Sequence, residues 1–338
     1  MSKKEYNFNH NPALGIHQGK DLSEPINLFS FCTDESDLPA RLDSFLAKKM
    51  PWRSRRFFQK MIRKKQVTVD GKFTKSGKPL FLNEKIDVDV SEYQVDYNAQ
   101  LELELNIIYE DDDLLVLNKP AGVIVHPTGW HLYDTLINVV HARYKNCKYK
   151  PKLVHRLDRD TSGVLVLVKS EKNRAILAKQ IENREVKKIY KAITHRIFNE
   201  RQGDIILPIF DAIYSHIRLK QGIVPNGLPS HTRYTVEATA PYVSGLLNGL
   251  SYVTLDLLTG RTHQIRVHLS AIGHPIIADK LYGYEKKCYV NEIMIDSHLL
   301  HAWKFRCKHP RTEESMEFEA ALPNQFSSCL KTVFGFDK

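Results

Sequence analysis

Apolar residues recur along this chain in two rhythms. In RLDSFLAKKM (41–50), Leu42, Phe45, Leu46 and Met50 fall on one stripe of a helix. Pro51 ends that helix, and Ser54 can cap a second one whose apolar face is Phe57, Phe58, Met61 and Ile62. QVTVDGKF (66–73) alternates as a strand does, with Asp70-Gly71 at the position of a two-residue hairpin turn. With INLFSFC (26–32) as a short strand, residues 26–90 read as a small helix–turn–helix module carrying a hairpin. Residues 1–25 are polar and aperiodic, an arm either free or draped on the body. SEYQVDYNAQ (91–100) is polar, and residues 91–106 are read as a linker.

From Leu101 onward strand-like runs dominate: DLLVLNK (113–119), GVLVLVK (163–169), YKAITHRI (190–197), RYTVEA (233–238) and YVTLDLL (252–258). Helical stretches intervene at 135–144 and 174–184. The two kinds of element mix without a regular strand–helix–strand rhythm. An α+β domain over 107–330 is expected, built on a mixed, mostly antiparallel sheet with flanking helices. A chain of 338 residues has room for this and the smaller module.

Charge singles out the small module. Between Arg41 and Leu80 thirteen Lys or Arg stand against Asp43 and Asp70, a balance of +11, so the other 298 residues carry −1 of the net +10. Such an imbalance fits a phosphate-binding face better than an ordinary solvated helix. No apolar run approaches the roughly 18 residues that span a bilayer. The N-terminus lacks the apolar stretch of a secretory signal, and five cysteines without a CxxC pair argue for a reducing compartment. Cytoplasm is the expected location.

Three segments gather reactive side chains beside predicted strand ends: NKPAGVIVHP (118–127), HRLDRDTSG (155–163) and TGRTHQIRVH (259–268). His155, Asp158, Asp160, His263, His268 and His274 invite a metal, yet there is no HExxH, and His263 and His268 are five apart. Ser162 lies in TSG, not in a G-x-S-x-G elbow, and no phosphate-cradling glycine motif occurs. What remains is a carboxylate working without metal or cofactor, with Arg156, Arg261 and Arg266 available to hold it ionised. Asp158 and Asp160 can equally shape a turn, with Gly163 for the tight backbone. The residues alone leave both readings open.

Taken together, the segments resemble the RluA family of pseudouridine synthases. HRLDRDTSG is similar to that family's catalytic motif, NKPAGVIVHP to the motif upstream, and TGRTHQIRVHLSAIGHPI with DKLYG to the one downstream. VKKIYKA (186–192), LLHAWKF with HP (299–310) and ALPNQF continue the similarity, and residues 26–90 resemble an S4 RNA-binding domain. Ala278 stands where the family often has glycine, and 210–234 is only loosely similar.

The resemblance implies an RNA isomerase that converts uridine to pseudouridine in rRNA or tRNA, needing no cofactor, no metal and no partner protein, and a monomer is expected. It casts Asp158 as the catalytic residue and Tyr190 as the side chain packed on the target base. Arg266 is the chosen ion-pair partner of Asp158, with Arg261 second or on the RNA backbone. Arg156 would fill the space left by a flipped uridine. His155, grouped with the RNA-binding residues, would orient the loop by hydrogen bonds rather than transfer a proton. The rival readings are an inactive S4-type RNA-binding or ribosome-assembly factor and, more distantly, a metal-assisted hydrolase. Replacing several of Arg53, Arg55, Arg56, Arg63 and Lys64 should weaken RNA binding and flatten its salt dependence. Titrations at several salt concentrations check this, and an unchanged slope would remove the docking role of the module.

Overall fold

The computed structural model describes residues 22, 28–50, 53–93, 103–128, 131, 134–212, 215, 220–243, 248–285 and 287–336. Most of the arm expected over 1–25 and residues 94–102 of the linker lie outside these. The described residues fall into two compact units, 1–104 with 124–150, and 105–123 with 151–338.

In the first unit a four-stranded antiparallel sheet runs in the order β1 (Leu28–Cys32), β4 (Lys85–Asp89), β2 (Val67–Val69), β3 (Lys72–Phe73). Two helices join it, α1 (Leu42–Lys49) and α2 (Arg55–Arg63), the latter capped by the Ser54 hydroxyl accepting from Phe57 N–H. Leu42, Phe45, Leu46, Phe58, Met61 and Ile62 interlock with Val67, Ile86 and Val88 in one core. The hairpin turn places Asp70 at φ 48° and Gly71 at φ 75°, the backbone that asparagine-like and glycine residues accept most readily. Residues 124–150 pack with this unit, although the sequence assigns them to the larger domain. Their helix α3 (Leu136–Arg143) takes the Leu22 N–H on His141 Nδ1 at 3.0 Å and gives Asn138 Nδ2 to the Leu22 carbonyl at 3.1 Å.

Several basic residues of this module are also engaged within it. Asp43 is fully buried, and Arg55 Nε reaches its carboxylate at 2.9 Å, joined by Arg41 and Gln59. Burial would raise the Asp43 pKa, but Gln59, Arg55 and Arg41 draw it down to about 2. Arg55 therefore also serves as a structural counter-charge to Asp43, with half of its side chain still exposed. Arg63 Nε contacts the Gln59 carbonyl at 3.3 Å and Lys64 pairs with Glu92 at 2.7 Å. Arg53 lies over the Phe57 ring, and Arg56 is exposed.

The second unit is built on a ten-stranded mixed sheet. Its main path is β10 (Gln202–Ile206), β13 (His231–Ala240), β14 (Leu250–Leu257), β9 (Lys187–His195), β17 (Leu300–Lys308), β8 (Ser162–Val168), β6 (Leu114–Lys119), β5 (Ile107–Glu110). Also, β7 (Lys152–Leu153) pairs with β8 and β18 (Ser315–Glu319) with β17, while β15 (Cys288–Val290) and β16 (Ile293–Ile295) form a separate antiparallel pair. Only the β8–β17 pair is parallel among these. All seven residues of β8 are buried, which is why it reads as an unbroken apolar run. Val164, Val166 and Val168 pack with Leu177 of helix α4 (Glu171–Glu182), which Ser170 caps four residues before the helical stretch read from the sequence begins. Helix α6 (Asn324–Phe334) covers Ile193, Leu250 and Tyr252 with Phe326, Cys329 and Leu330.

Three residues lie in register across β8, β17 and β9: Gly163, Ala302 and Tyr190. Gly163 adopts φ +113°, and a β-carbon there would sit 2.2 Å from the Ala302 carbonyl oxygen. Gly163→Ala should therefore destabilise the protein by about 3 kcal/mol or more, through left-handed strain plus backbone displacement. Urea unfolding measures this, and a loss within a few tenths of a kcal/mol would show that the strands separate without penalty.

Candidate active site

Asp158 sits in the loop that enters β8, and a short turn from its carbonyl to Thr161 N–H (3.2 Å) sets the loop's shape. Lys119, at the end of β6 and fully buried, pins this loop to its neighbour. Its ammonium donates to the carbonyls of Pro120, Val123 and Arg159 at 2.7, 2.9 and 2.8 Å. Burial pulls the Lys119 pKa down to about 7, against the opposing charges of Asp160 and Asp158. At the strand itself, Thr161 Oγ1 bonds His298 Nε2 at 2.9 Å and Ser162 Oγ bonds His301 Nδ1 at 2.8 Å.

The third motif turns sharply after β14. His263 takes the left-handed conformation (φ 56°) and opens helix α5 (Gln264–Ala271), an element the sequence reading did not contain. Six consecutive residues of α5, Gln264 to Leu269, are buried, so no polar stripe announces a helix. Arg266 points from it to two carboxylates. Nη1 donates to Asp158 Oδ2 at 2.9 Å, while Nε and Nη2 donate to Asp279 at 2.7 and 2.8 Å. Asp279, fully buried, also accepts the N–H groups of Leu281 and Tyr282. Burial opposes ionisation of both acids. For Asp158 the charges of His263 and Arg266 outweigh it and hold the carboxyl below its ordinary range. For Asp279 the hydrogen bonds and charge of Arg266 hold it at about 2.

Tyr190 is buried on β9; burial pushes its hydroxyl upward and the Asp158 charge adds to this. Arg156 is exposed beside Asp158. Arg261 reaches the Pro229 carbonyl at 3.4 Å and makes no ion pair with Asp158. His155 faces inward, in keeping with the hydrogen-bonding, orienting role read from the sequence rather than with direct RNA contact. Its Nε2 accepts Val166 N–H at 3.0 Å and its ring stacks on Phe305, because the β8 backbone it braces is buried. Asp160 pairs with Arg159 at 3.0 Å.

Sequence reasoning gave no site role to Asp279, Lys119, His263 or His298. The first three lie inside quoted motifs, so the motif itself was the available signal; nothing local marks His298. Asp111, Asp113 and His309 form the one group with metal-ligand spacing among the described residues. Their oxygens already accept from Tyr109, Asn173 and Arg311, which makes the group an internally satisfied polar knot.

The Arg266–Asp279 pair makes a stability prediction. Its carboxyl pKa is depressed on folding, so its contribution of about 2 kcal/mol is fully present above the unfolded value near 4 and is lost as pH falls through about 2. Asp279→Asn should destabilise by about 3 kcal/mol at neutral pH, since it leaves a buried charge short of a partner. In urea unfolding the gap to wild type should narrow between pH 4 and 2; a gap constant with pH would show that the ion pair is not its source.

Comparisons with known proteins cover most of the chain. A family model described as RNA pseudouridylate synthase matches residues 113–271, and an S4 domain model matches 40–80. The chain is 34% identical over 301 residues to the ribosomal large subunit pseudouridine synthase D of Nitrosomonas europaea, covering 87% of this chain and 84% of that protein. It is 35% identical over 311 residues to the protein of the same name from Yersinia pestis, covering 88% and 92%. Among solved structures, human RNA pseudouridylate synthase domain containing 1 superposes with a TM-score of 0.54 at 28% identity, covering 67% of this chain and 86% of that one. The strand-end loop carrying Asp158, the sheet behind it and these matches lead to one conclusion: the chain belongs to the RluA-type RNA pseudouridylate synthases and carries an S4 domain toward its N-terminus.

Proposed function

We propose that this protein isomerises uridine to pseudouridine in large-subunit ribosomal RNA, with Asp158 as the reacting carboxylate. The observation that carries the reading is the Asp158–Arg266 contact at 2.9 Å, with Arg266 itself held by Asp279. A binding factor has no use for such an arrangement, because sequestering ions from water costs several kcal/mol that only geometry and hydrogen bonds offset. The ribosomal substrate is supported by relatives from Nitrosomonas europaea and Yersinia pestis, whose names specify the large ribosomal subunit.

The reaction breaks N1–C1′ of the nucleotide, rotates the uracil and joins C5 to C1′. A proton leaves C5 and one is gained at N1, so nothing is oxidised and no group is donated. Asp158 ionised at neutral pH suits attack on the sugar or base, or removal of a sugar proton. Tyr190 would stack on the uracil, and its hydroxyl, protonated at neutral pH, sits near the carboxylate. Arg156 is exposed and free to enter the gap in the RNA stack. Leu157 and β8 keep water from the detached base. Arg261 and the basic S4 face, Arg53, Arg56, Arg63 and Lys64, would hold phosphates. Among the described residues no helix is long and apolar enough to cross a membrane. A cytoplasmic monomer acting on RNA completes the reading.

The test uses ribosomal RNA tritiated at uridine C5 and counts label released to water. Wild type should release label with or without EDTA, and Asp158→Ala should release none above background. Silence of the wild type on rRNA and tRNA alike would sink the reading; release abolished by EDTA would favour the metal-assisted alternative.

A further inference from the structure

Arg266 occupies one oxygen of Asp158 and leaves the other to a second side chain. Oδ1 has no hydrogen bond among the described residues, and His263 Nε2 lies 3.8 Å from it. His263 is held there at some expense, since it occupies the left-handed region at the start of α5.

The other side of the imidazole faces Tyr282. The Tyr282 hydroxyl oxygen accepts the backbone N–H of Gln221 at 2.8 Å and lies 2.9 Å from His263 Nδ1. With its oxygen already accepting, the hydroxyl has its own hydrogen to place. Among the described residues its only other hydrogen-bond partner is Nδ1. A tyrosine donating to Nδ1 leaves the ring proton on Nε2, the nitrogen aimed at Asp158. Burial lowers the His263 pKa, with Asp158 opposing and Arg266 and Arg156 assisting; with the ring charged, or neutral and accepting from Tyr282 at Nδ1, the nitrogen facing Asp158 carries a proton. The Tyr282 ring also lies 5.0 Å from the Arg266 guanidinium, so one aromatic side chain touches both groups that face the carboxylate.

Gln221 begins β12 (Gln221–Ile223), which pairs with β11 (Ile209–Asp211) in a two-stranded hairpin outside the main sheet. Most of this hairpin lies in the 210–234 segment, which is only loosely similar to the family. A chain of contacts thus runs from the hairpin backbone through Tyr282 and His263 to Asp158. The last gap is too long for a hydrogen bond and would close with a shift of about 1 Å.

We propose that His263 is a positioning residue for the reaction: Tyr282 fixes it with its proton on Nε2, and it delivers that N–H to the Asp158 oxygen that Arg266 leaves free when RNA seats the β11–β12 hairpin. The inference rests on Asp158 being the reacting carboxylate.

Single-turnover tritium release with enzyme in excess, measured beside RNA affinity, tests it. His263→Ala should slow release at least about 10-fold, the worth of one charge-assisted hydrogen bond, with RNA affinity within about twofold of wild type. His263→Gln places an amide N–H near the Nε2 position and should recover most of the rate. Tyr282→Phe keeps the ring over Arg266 and should slow release about 3- to 10-fold, which provides a second measure should the His263 variants fold poorly. Wild-type rates in His263→Ala and Tyr282→Phe, a loss confined to RNA affinity, or no rescue by glutamine would each overturn the proposal while leaving the isomerase reading intact. A wild type that releases no label would remove both.

Discussion

One guanidinium shared between two carboxylates is the constraint on which the second unit turns. Arg266 is almost wholly withdrawn from water and donates through Nε and Nη2 to Asp279 and through Nη1 to Asp158. Burying these charges carries a large desolvation penalty, offset only because the donors meet the acceptors in good geometry. The planar fork of arginine grips Asp279 bidentately and still has a nitrogen for Asp158, which a lysine ammonium on a flexible stem would not reproduce. Asp279 thus sets the orientation of Arg266, and Arg266 sets both the charge and the direction of Asp158.

This arrangement brings together segments more than a hundred residues apart in sequence, and the sheet makes that separation small. The β8–β17–β9 register aligns Gly163, Ala302 and Tyr190, and the absence of a side chain at Gly163 lets the parallel strands approach behind the Asp158 loop. Lys119 fastens that loop from the β6 side through three carbonyls. Its buried ammonium needs nearby negative charge, and Asp158 and Asp160 supply it. The same aspartate therefore helps to keep its own platform charged. In the first unit Asp43 does comparable work, gathering Arg41, Arg55 and Gln59 under the basic surface.

The legible elements were those with a clean period. The stripe Leu42, Phe45, Leu46, Met50 became α1, and the Asp70-Gly71 hairpin formed with both residues at positive φ. The run 163–169 became the fully buried β8. Helix α5 was not legible, because burial on every side erases the alternation of polar and apolar faces. The hydrogen-bonding role read for His155 was legible, but its partner, the Val166 N–H of β8, was not.

By itself the sequence determined the α+β class, the basic module, the order of the motifs and, through their resemblance, the family; that resemblance also singles out Asp158, Tyr190 and Arg266 as the proposed catalytic set. These depend on local periodicity, charge and residue identity, which are written in one dimension. Only the tertiary structure decided that Asp279 completes the Arg266 pair, that Arg261 turns away to Pro229, that Arg55 serves Asp43, and that His263 and Tyr282 stand against the free side of Asp158. Each of these is a long-range polar contact. Which donor meets which acceptor is settled by strand register and burial, and neither leaves a period in the chain.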